Sequence, residues 1–445
     1  MDTSGTVDQD DIVRAQAILL ASGRRTPYEE VDAYRVLAQV SPAPYLPRLV
    51  GALLSLSYEP GYGSAPRRGD DSAATARQRQ AACLALREEA VVAARAVDPA
   101  EPARADLLYQ ALDSCQKGLY ELGRRSEGLA LRAEMLAVGR AQAARTGGSA
   151  VKGLGVWAAG LSEEGRCGEA ADALTELVAA ILPDGPREGT LAWSLLEWIG
   201  ALHEAGRSDE ALAAFGTLVD MEAAEAAADR GPMACHLYAL IGYARMLGTW
   251  GRGDRAAAVR QEAHAVLTEL AATGERRSWS GYQTSFWAVL LPLSGADSER
   301  PVSGGARPPL GADPGGWSPD VRQRYFDSRT ALREEVDALV ARAAEDPDGY
   351  LAELVRLHRV LTVRSAVYWE RRTHLFADRV RGLFDEGVEL ARRLARHRPA
   401  EGTPVLAEAL IDRSALWAVT KEFGPALDDF RQAMRCLGEM DEDAD

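Results

Sequence analysis

One phrase recurs along this chain. It appears as Gly123-Arg124-Arg125-Ser126-Glu127-Gly128, as Gly165-Arg166-Cys167-Gly168-Glu169-Ala170 and as Gly206-Arg207-Ser208-Asp209-Glu210-Ala211. A weaker copy is Gly251-Arg252-Gly253-Asp254-Arg255-Ala256. The leading glycines stand 42, 41 and 45 residues apart, and self-similarity at a period of ~20–50 residues marks an array of stacked units. Such an array adds modules in a row, so the usual ~150 residues per domain does not divide it.

Apolar positions recur at helical spacing on both sides of each glycine: Leu154, Trp157, Ala158 and Leu161 before Gly165, then Ala170, Leu174, Leu177 and Val178 after it. Glycine at the junction can take φ > 0 and close the first helix. The acids that follow, such as Glu169 and Glu210, suit the first turn of the next. In three copies the sixth position is alanine, small enough for two helices to approach closely. Each unit therefore reads as a pair of antiparallel helices that cannot bury its apolar face alone, and neighbours must stack. The expected fold is all-α.

This pattern resembles the tetratricopeptide repeat (TPR), on Gly206, Ala211, Phe215 and Leu218 and, near the C-terminus, on Ala426, Phe430 and Ala433 after Trp417. The ordinary repeat is ~34 residues; the extra residues here fall between hairpins, at 182–186 and 228–232. The resemblance is to the stretched, TPR-like arrays of actinobacterial regulatory proteins, clearest from Leu107 to Leu270 and again at the C-terminus. It implies a right-handed α-solenoid of helix–turn–helix hairpins.

Other segments extend the array. Asp11–Leu20 reads as a first helix, ended at Gly23. Thr26, Pro27 and Glu29 supply N-cap, N1 and capping-box signals for a second helix to Val40. Tyr45–Leu56 would pair with Ala76–Val97 across the polar insert Glu59–Asp71, and Trp279–Leu293 resumes the helical pattern. Between 294 and 318 the composition shifts to six glycines and four prolines within 295–316, without apolar period, which reads as a linker or loop. The expected organisation is a TPR-like array over 1–293, that linker, and a helical region over 319–440 with at least one further hairpin.

A formal charge of −15 and a pI of about 5.1 set the chain against direct nucleic-acid binding. Met1–Asp10 has neither the basic start nor the apolar core of a signal peptide. The apolar run Phe286–Leu291 falls far short of the ~20 residues that cross a bilayer. A cytoplasmic protein without membrane contact is expected. Cys83, Cys115, Cys167, Cys235 and Cys436 form no CxxC pair and read as small buried hydrophobes.

No constellation carries chemistry. Ser114-Cys115-Gln116-Lys117 matches S-x-x-K without its companion elements. Gly153-Leu154-Gly155 follows no strand and completes no phosphate-loop spacing. Glu370 and His374 make half a metal site at most. No enzyme activity, cofactor or metal is expected.

Two surfaces remain for binding. In TPR-like superhelices the first helix of each pair lines a concave groove, and the resemblance carries that role onto Gln110, Asp113, Lys117, Tyr120, Lys152, Trp193, Glu197, Tyr238 and Arg245. Such a groove suits an extended peptide or partner helix. The second is Leu351–Arg398, with eleven arginines against six acids; Arg356, Arg359, Arg364, Arg371 and Arg372 form a candidate anion-binding set. The expected function is a non-catalytic scaffold or adaptor for a partner protein or peptide. The alternative is a ligand- or peptide-sensing regulatory module acting through a separate effector.

Overall fold

The computed structural model describes residues 7–21, 25–59, 73–148, 151–184, 190–277, 280–294, 305–370 and 376–440. Among these, the eighteen α-helices run as hairpins along the chain. They are α1 (Gln9–Leu20) and α2 (Pro27–Val40), α3 (Pro42–Ser57) and α4 (Ala73–Ala96), α5 (Arg104–Glu121) and α6 (Arg125–Thr146), and α7 (Leu154–Glu163) and α8 (Cys167–Ile181). There follow α9 (Thr190–Glu204) and α10 (Ser208–Ala227), α11 (Met233–Thr249) and α12 (Gly253–Thr273), then the single helices α13 (Ser280–Ser294) and α14 (Pro319–Glu345). The last are α15 (Pro347–Trp369) and α16 (Phe376–His397), and α17 (Pro399–Val419) and α18 (Phe423–Cys436). Consecutive helices pack on one another from α1 to α6, from α8 to α12 and from α15 to α18. The capping box at α2 forms as the sequence implies: Glu29 N–H donates to Thr26 Oγ1 at 3.2 Å and Thr26 N–H to Glu29 Oε2 at 2.9 Å.

The recurring phrase is a shared cap. Gly123, Gly165, Gly206 and Gly251 all sit in the left-handed region, with φ between 70° and 75°. The arginine after each donates its backbone N–H to a carbonyl five residues back: Arg124 to Leu119 at 2.8 Å, Arg166 to Leu161 at 2.9 Å, Arg207 to Leu202 at 3.0 Å and Arg252 to Leu247 at 2.8 Å. This is the Schellman closure of the first helix. The same arginine is the N-cap of the second helix, its carbonyl accepting from the sixth residue of the phrase: Gly128, Ala170, Ala211 or Ala256. That sixth residue is buried in every copy. Gly128 replaces alanine because a Cβ there would lie 2.8 Å from the Tyr120 ring. The arginine side chains also repeat a role. Arg124, Arg166 and Arg207 grip the acid three residues on, and Arg124, Arg207 and Arg252 reach back to Glu88, Asp172 and Asp209 of the preceding hairpin.

The turn between α17 and α18, in the hairpin marked by Ala426, Phe430 and Ala433, is a further copy of the cap without its glycine. Lys421 takes the glycine's place at φ 64°, Glu422 N–H donates to Trp417 O at 2.8 Å, and Glu422 O accepts from Ala426 N at 3.1 Å. A side chain in this conformation is strained relative to glycine. Lys421→Gly is therefore expected to stabilise the chain by about 0.5–1 kcal/mol, read as a higher urea midpoint at unchanged slope.

The chain divides into two compact units, Met1–Gly160 with Ser318–Asp320, and Leu161–Trp317 with Val321–Asp445. The first has a core of Val50, Leu53, Leu84, Leu112, Leu119 and Met135 with their neighbours. Arg132 is buried there, its guanidinium 4.6 Å from the Tyr120 ring centroid and donating to Gln116 Oε1 and Ser318 Oγ.

In the second unit, α11 is buried on all sides from Ala234 to Leu247, as expected of a helix apolar all round. Besides its sequence neighbours it packs on α13 and α17; α13 also touches α9, α15 and α17, and α18 packs on α12. The α17–α18 hairpin thus returns to the α11–α12 hairpin. Arg260 of α12 pairs with Glu439 just past α18, Nε to Oε2 at 2.8 Å, both nearly buried. Part of the Gly/Pro-rich stretch, 305–318, is described, and Pro309, Ala312, Trp317 and Ser318 in it are buried.

Candidate functional site

Within the second unit, α11, α15, α16 and α17, with residues of α9, α12 and α13, line an open cavity of about 700 Å³, within the range of small-ligand sites. Its floor is ionic. Arg245, at position thirteen of the largely apolar α11, is buried. Its Nη1 lies 2.7 Å from Asp412 Oδ1, its Nε donates to Glu408 Oε2, and its Nη2 donates to the Glu408 carbonyl at 3.1 Å. Arg359 of α15 reaches the other Asp412 oxygen, Nε to Oδ2 at 2.9 Å. One buried carboxylate on α17 therefore ties α11 to α15.

Both charges are held. Burial opposes the Arg245 cation, but Asp412 and Glu408 outweigh it and keep its pKa above the ordinary value. Burial pushes the Asp412 carboxyl up, but Arg245 and Arg359 prevail and hold it below the usual range. Leu293, Val355, Leu383, Phe384, Leu394 and Val405 supply the apolar wall, and Arg356 and Glu353 stand exposed beside it. His358 is 1% exposed at this wall, its Nε2 3.2 Å from Glu386 Oε2. Burial lowers its pKa, with Glu386 only partly opposing, so the ring is neutral near neutral pH. The arrangement offers fixed charge and apolar surface side by side. It has the makings of a binding site.

The expected groove residues are dispersed. In the first unit Gln110 is exposed, and Lys117 Nζ lies 2.7 Å from Asp113 on the same helix. Tyr120 is buried beneath Arg125 and Arg132. Lys152 bonds Asp106 at 2.6 Å and lies over the Tyr109 ring. In the second unit Trp193 meets Tyr282 and Phe286 edge to face, and Tyr238 is buried. Glu197 is half-buried, and burial, with the Asp313 carboxylate second, pushes its pKa up to about 7. Only Arg245 of this set lines the cavity.

From the arginine-rich stretch, Arg356 and Arg359 line the same cavity. Arg364 is buried, 5.0 Å from the Tyr325 ring centroid, and donates to Ser328 Oγ at 2.7 Å. Arg371, Arg372 and His374 lie outside the described residues. The structure thus joins one member of the first set to two of the second. Asp412, Glu408 and His358 were not anticipated. An acid inside the apolar run Leu410-Ile411-Asp412 is an oddity a reader could have seen, but its two arginines lie far off in sequence.

The motifs with weak chemistry have structural roles. Ser114 Oγ is buried 3.0 Å from the Tyr58 hydroxyl, and Gly153, at φ 93°, packs on Leu136. Cys83, Cys115, Cys167 and Cys235 are buried and Cys436 is half-buried, all free; burial pushes Cys115 and Cys167 up to about 11. Among the described residues no three His, Cys, Asp or Glu gather as a metal site, and no helix is long and apolar enough to cross a membrane.

A second buried acid carries a pH prediction. Glu222 of α10 is 4% exposed. Burial, with the Glu225 carboxylate second, raises its pKa from 4.5 to about 7. The raised value means the native state holds a proton that the unfolded chain releases. That contribution is full below pH ~4.5 and is lost as pH rises through 7. Glu222→Gln should therefore gain about 2–3 kcal/mol over the parent at pH 8 and little at pH 4, measured by urea unfolding at both values.

Compared with known proteins, the chain matches no family model and no curated protein.

Proposed function

We propose that this chain is a non-catalytic, ligand- or peptide-sensing module, a TPR-like right-handed α-solenoid whose second unit holds a peptide segment or small amphipathic molecule and acts through a separate effector protein. The observation that carries this reading is the cavity of about 700 Å³ with the Arg245–Asp412–Arg359 network at its base and an apolar wall above it. Buried charge in a concave, mostly apolar site is expensive to keep and recurs where ligands are oriented. The inner helices α11, α13, α15 and α17, three of them the first helices of hairpins, are those a TPR-like groove would present. Favouring sensing over an open scaffold, the last hairpin returns to α11 and α12, and the expected groove residues Asp113, Lys117 and Lys152 are engaged within the chain.

A thermal-unfolding screen of short peptides and amphipathic small molecules tests the reading. A ligand at 100-fold its Kd adds about 2.7 kcal/mol, so a hit should raise the melting temperature of the unaltered protein. It should leave unmoved the variant Ala409→Trp, which fills the cavity from α17. A library without a hit, or a hit that stabilises both proteins equally, would count against it.

A further inference from the structure

Two adjacent repeats bring the same pair of positions together and fill it differently. Trp198 of α9 and Tyr243 of α11 each stand eight residues before the glycine that closes their helix, Gly206 or Gly251. Thr175 of α8 and Gly216 of α10 each stand ten residues after the glycine of the preceding turn, Gly165 or Gly206. In the first pair the Trp198 indole N–H donates to Thr175 Oγ1 at 3.0 Å. One repeat on, glycine takes the threonine's place. Tyr243 is 4% exposed, yet its hydroxyl has no hydrogen-bond partner among the described residues, where a buried tyrosine usually finds one. A Cβ at Gly216 would lie 3.7 Å from that oxygen and, outside its own helix, within 4 Å of nothing else. The room for a partner is left clear.

That room belongs to an open groove of about 600 Å³ between α10 and α12, with Tyr243 as its floor. The groove runs from Asp209 to Asp220, three turns of α10 or about 16 Å. Phe215 stacks on the Tyr243 ring at 5.5 Å, and the Arg255 guanidinium lies 5.4 Å from its centroid. Arg252 meets Asp209 at 3.3 Å, whereas Arg255 and Asp220 are exposed and make no ion pair among the described residues. Burial raises the Tyr243 pKa, with Arg255 opposing and Asp220 adding to it, so near neutral pH the hydroxyl keeps its proton and serves as a donor.

A fixed hydroxyl and an unengaged guanidinium side by side match a carboxylate. Asp209 and Asp220 repel a dianion such as phosphate, and Asp220 suits an N–H on the same ligand. Packing alone would be better served by threonine at 216, since it would satisfy the hydroxyl and glycine inside a helix is destabilising. We propose that this groove binds a carboxylate that carries an N–H donor, from a free amino acid or from an acidic residue of a peptide, with Tyr243 and Arg255 on the carboxylate and Asp220 on the donor. None of these residues lines the cavity containing Arg245 and Asp412, so this is a second site that stands or falls apart from the cavity reading.

The test is isothermal titration calorimetry of the full chain with L-glutamate, with the blocked peptide acetyl-Ala-Ala-Glu-Ala-Ala-amide and with inorganic phosphate. Binding of glutamate alone identifies a free amino acid as the source, binding of the peptide identifies an acidic peptide segment, and phosphate should bind at least tenfold more weakly than either. Tyr243→Phe keeps the ring and Arg255→Ala removes an exposed side chain. Each should weaken the bound probe at least tenfold, since hydrogen bonds to charged groups are strong. Gly216→Thr, which repeats the Thr175 arrangement, should abolish binding and raise the urea midpoint. Ala409→Trp should bind as the unaltered chain does. Should Gly216→Thr lose its helical circular dichroism, Tyr243→Phe and Arg255→Ala still decide. Three results overturn the proposal: no binding of either carboxylate probe, binding unchanged in both Tyr243→Phe and Arg255→Ala, or phosphate bound as tightly as the carboxylates.

Discussion

Alanine at Asp412 is expected to cost about 3–5 kcal/mol, because it removes the buried carboxylate on which two arginines converge rather than deleting one contact. The Arg245 side chain is 6% exposed and that of Arg359 is 21% exposed, and both end on this carboxylate. Arg245 also meets Glu408, which is 42% exposed and a weaker counter-charge for a buried cation. Surface pairs such as Arg166–Glu169 offer a control, since solvent-exposed ion pairs are worth ~0–1 kcal/mol. Urea unfolding should show Asp412→Ala shifted by several times the change in Glu169→Ala. Equal, small shifts would mean that the network is solvated.

Phe215→Ala and Phe430→Ala should each cost about 3–5 kcal/mol through the cavities they leave. Both rings are fully buried, and each stands four residues after the alanine whose amide closes the hairpin turn, Ala211 and Ala426. Phe215 stacks on Tyr243 at 5.5 Å and fills the space that a side chain at Gly242 would need. Similar losses at two positions so far apart in the chain would mark them as equivalent members of one repeat. A large loss at Phe215 beside a negligible one at Phe430 would separate the C-terminal hairpin from the others.

The hairpins were legible because their determinants are local. A glycine at φ > 0, an N-cap three to four residues before a small residue, and apolar spacing on either side all lie within one turn of each other in sequence. The same locality placed α2 through Thr26, Pro27 and Glu29. The turn at Lys421 keeps the backbone conformation without the glycine that advertises it, and its hairpin was legible instead from Ala426, Phe430 and Ala433 after Trp417. What could not be read is how distant hairpins meet. Arg245, Arg359 and Asp412 lie on three helices, and nothing in their spacing tells that α17 returns to α11. The composition of 295–316 forbids helix, but packing decides that its described part is a run of turns built against α9, α13, α14 and α15, with Gly200 leaving room for it on α9. The arginine-rich stretch looked like one face and is several: Arg359 faces the cavity, Arg364 is buried under Tyr325, and Arg379 and Arg381 cover Trp369 and Trp417. Residue type suggested charge recognition, and only tertiary packing decided which arginines share a site.

The most direct measurement is the affinity of a peptide, selected from a random library on the unaltered protein, for that protein and for Ala409→Trp, both shown to be folded by circular dichroism. Binding in the cavity predicts a loss of at least 100-fold in Kd, about 2.7 kcal/mol, when the indole occupies it. An affinity that is the same for both proteins would contradict the assignment of the cavity as the recognition site.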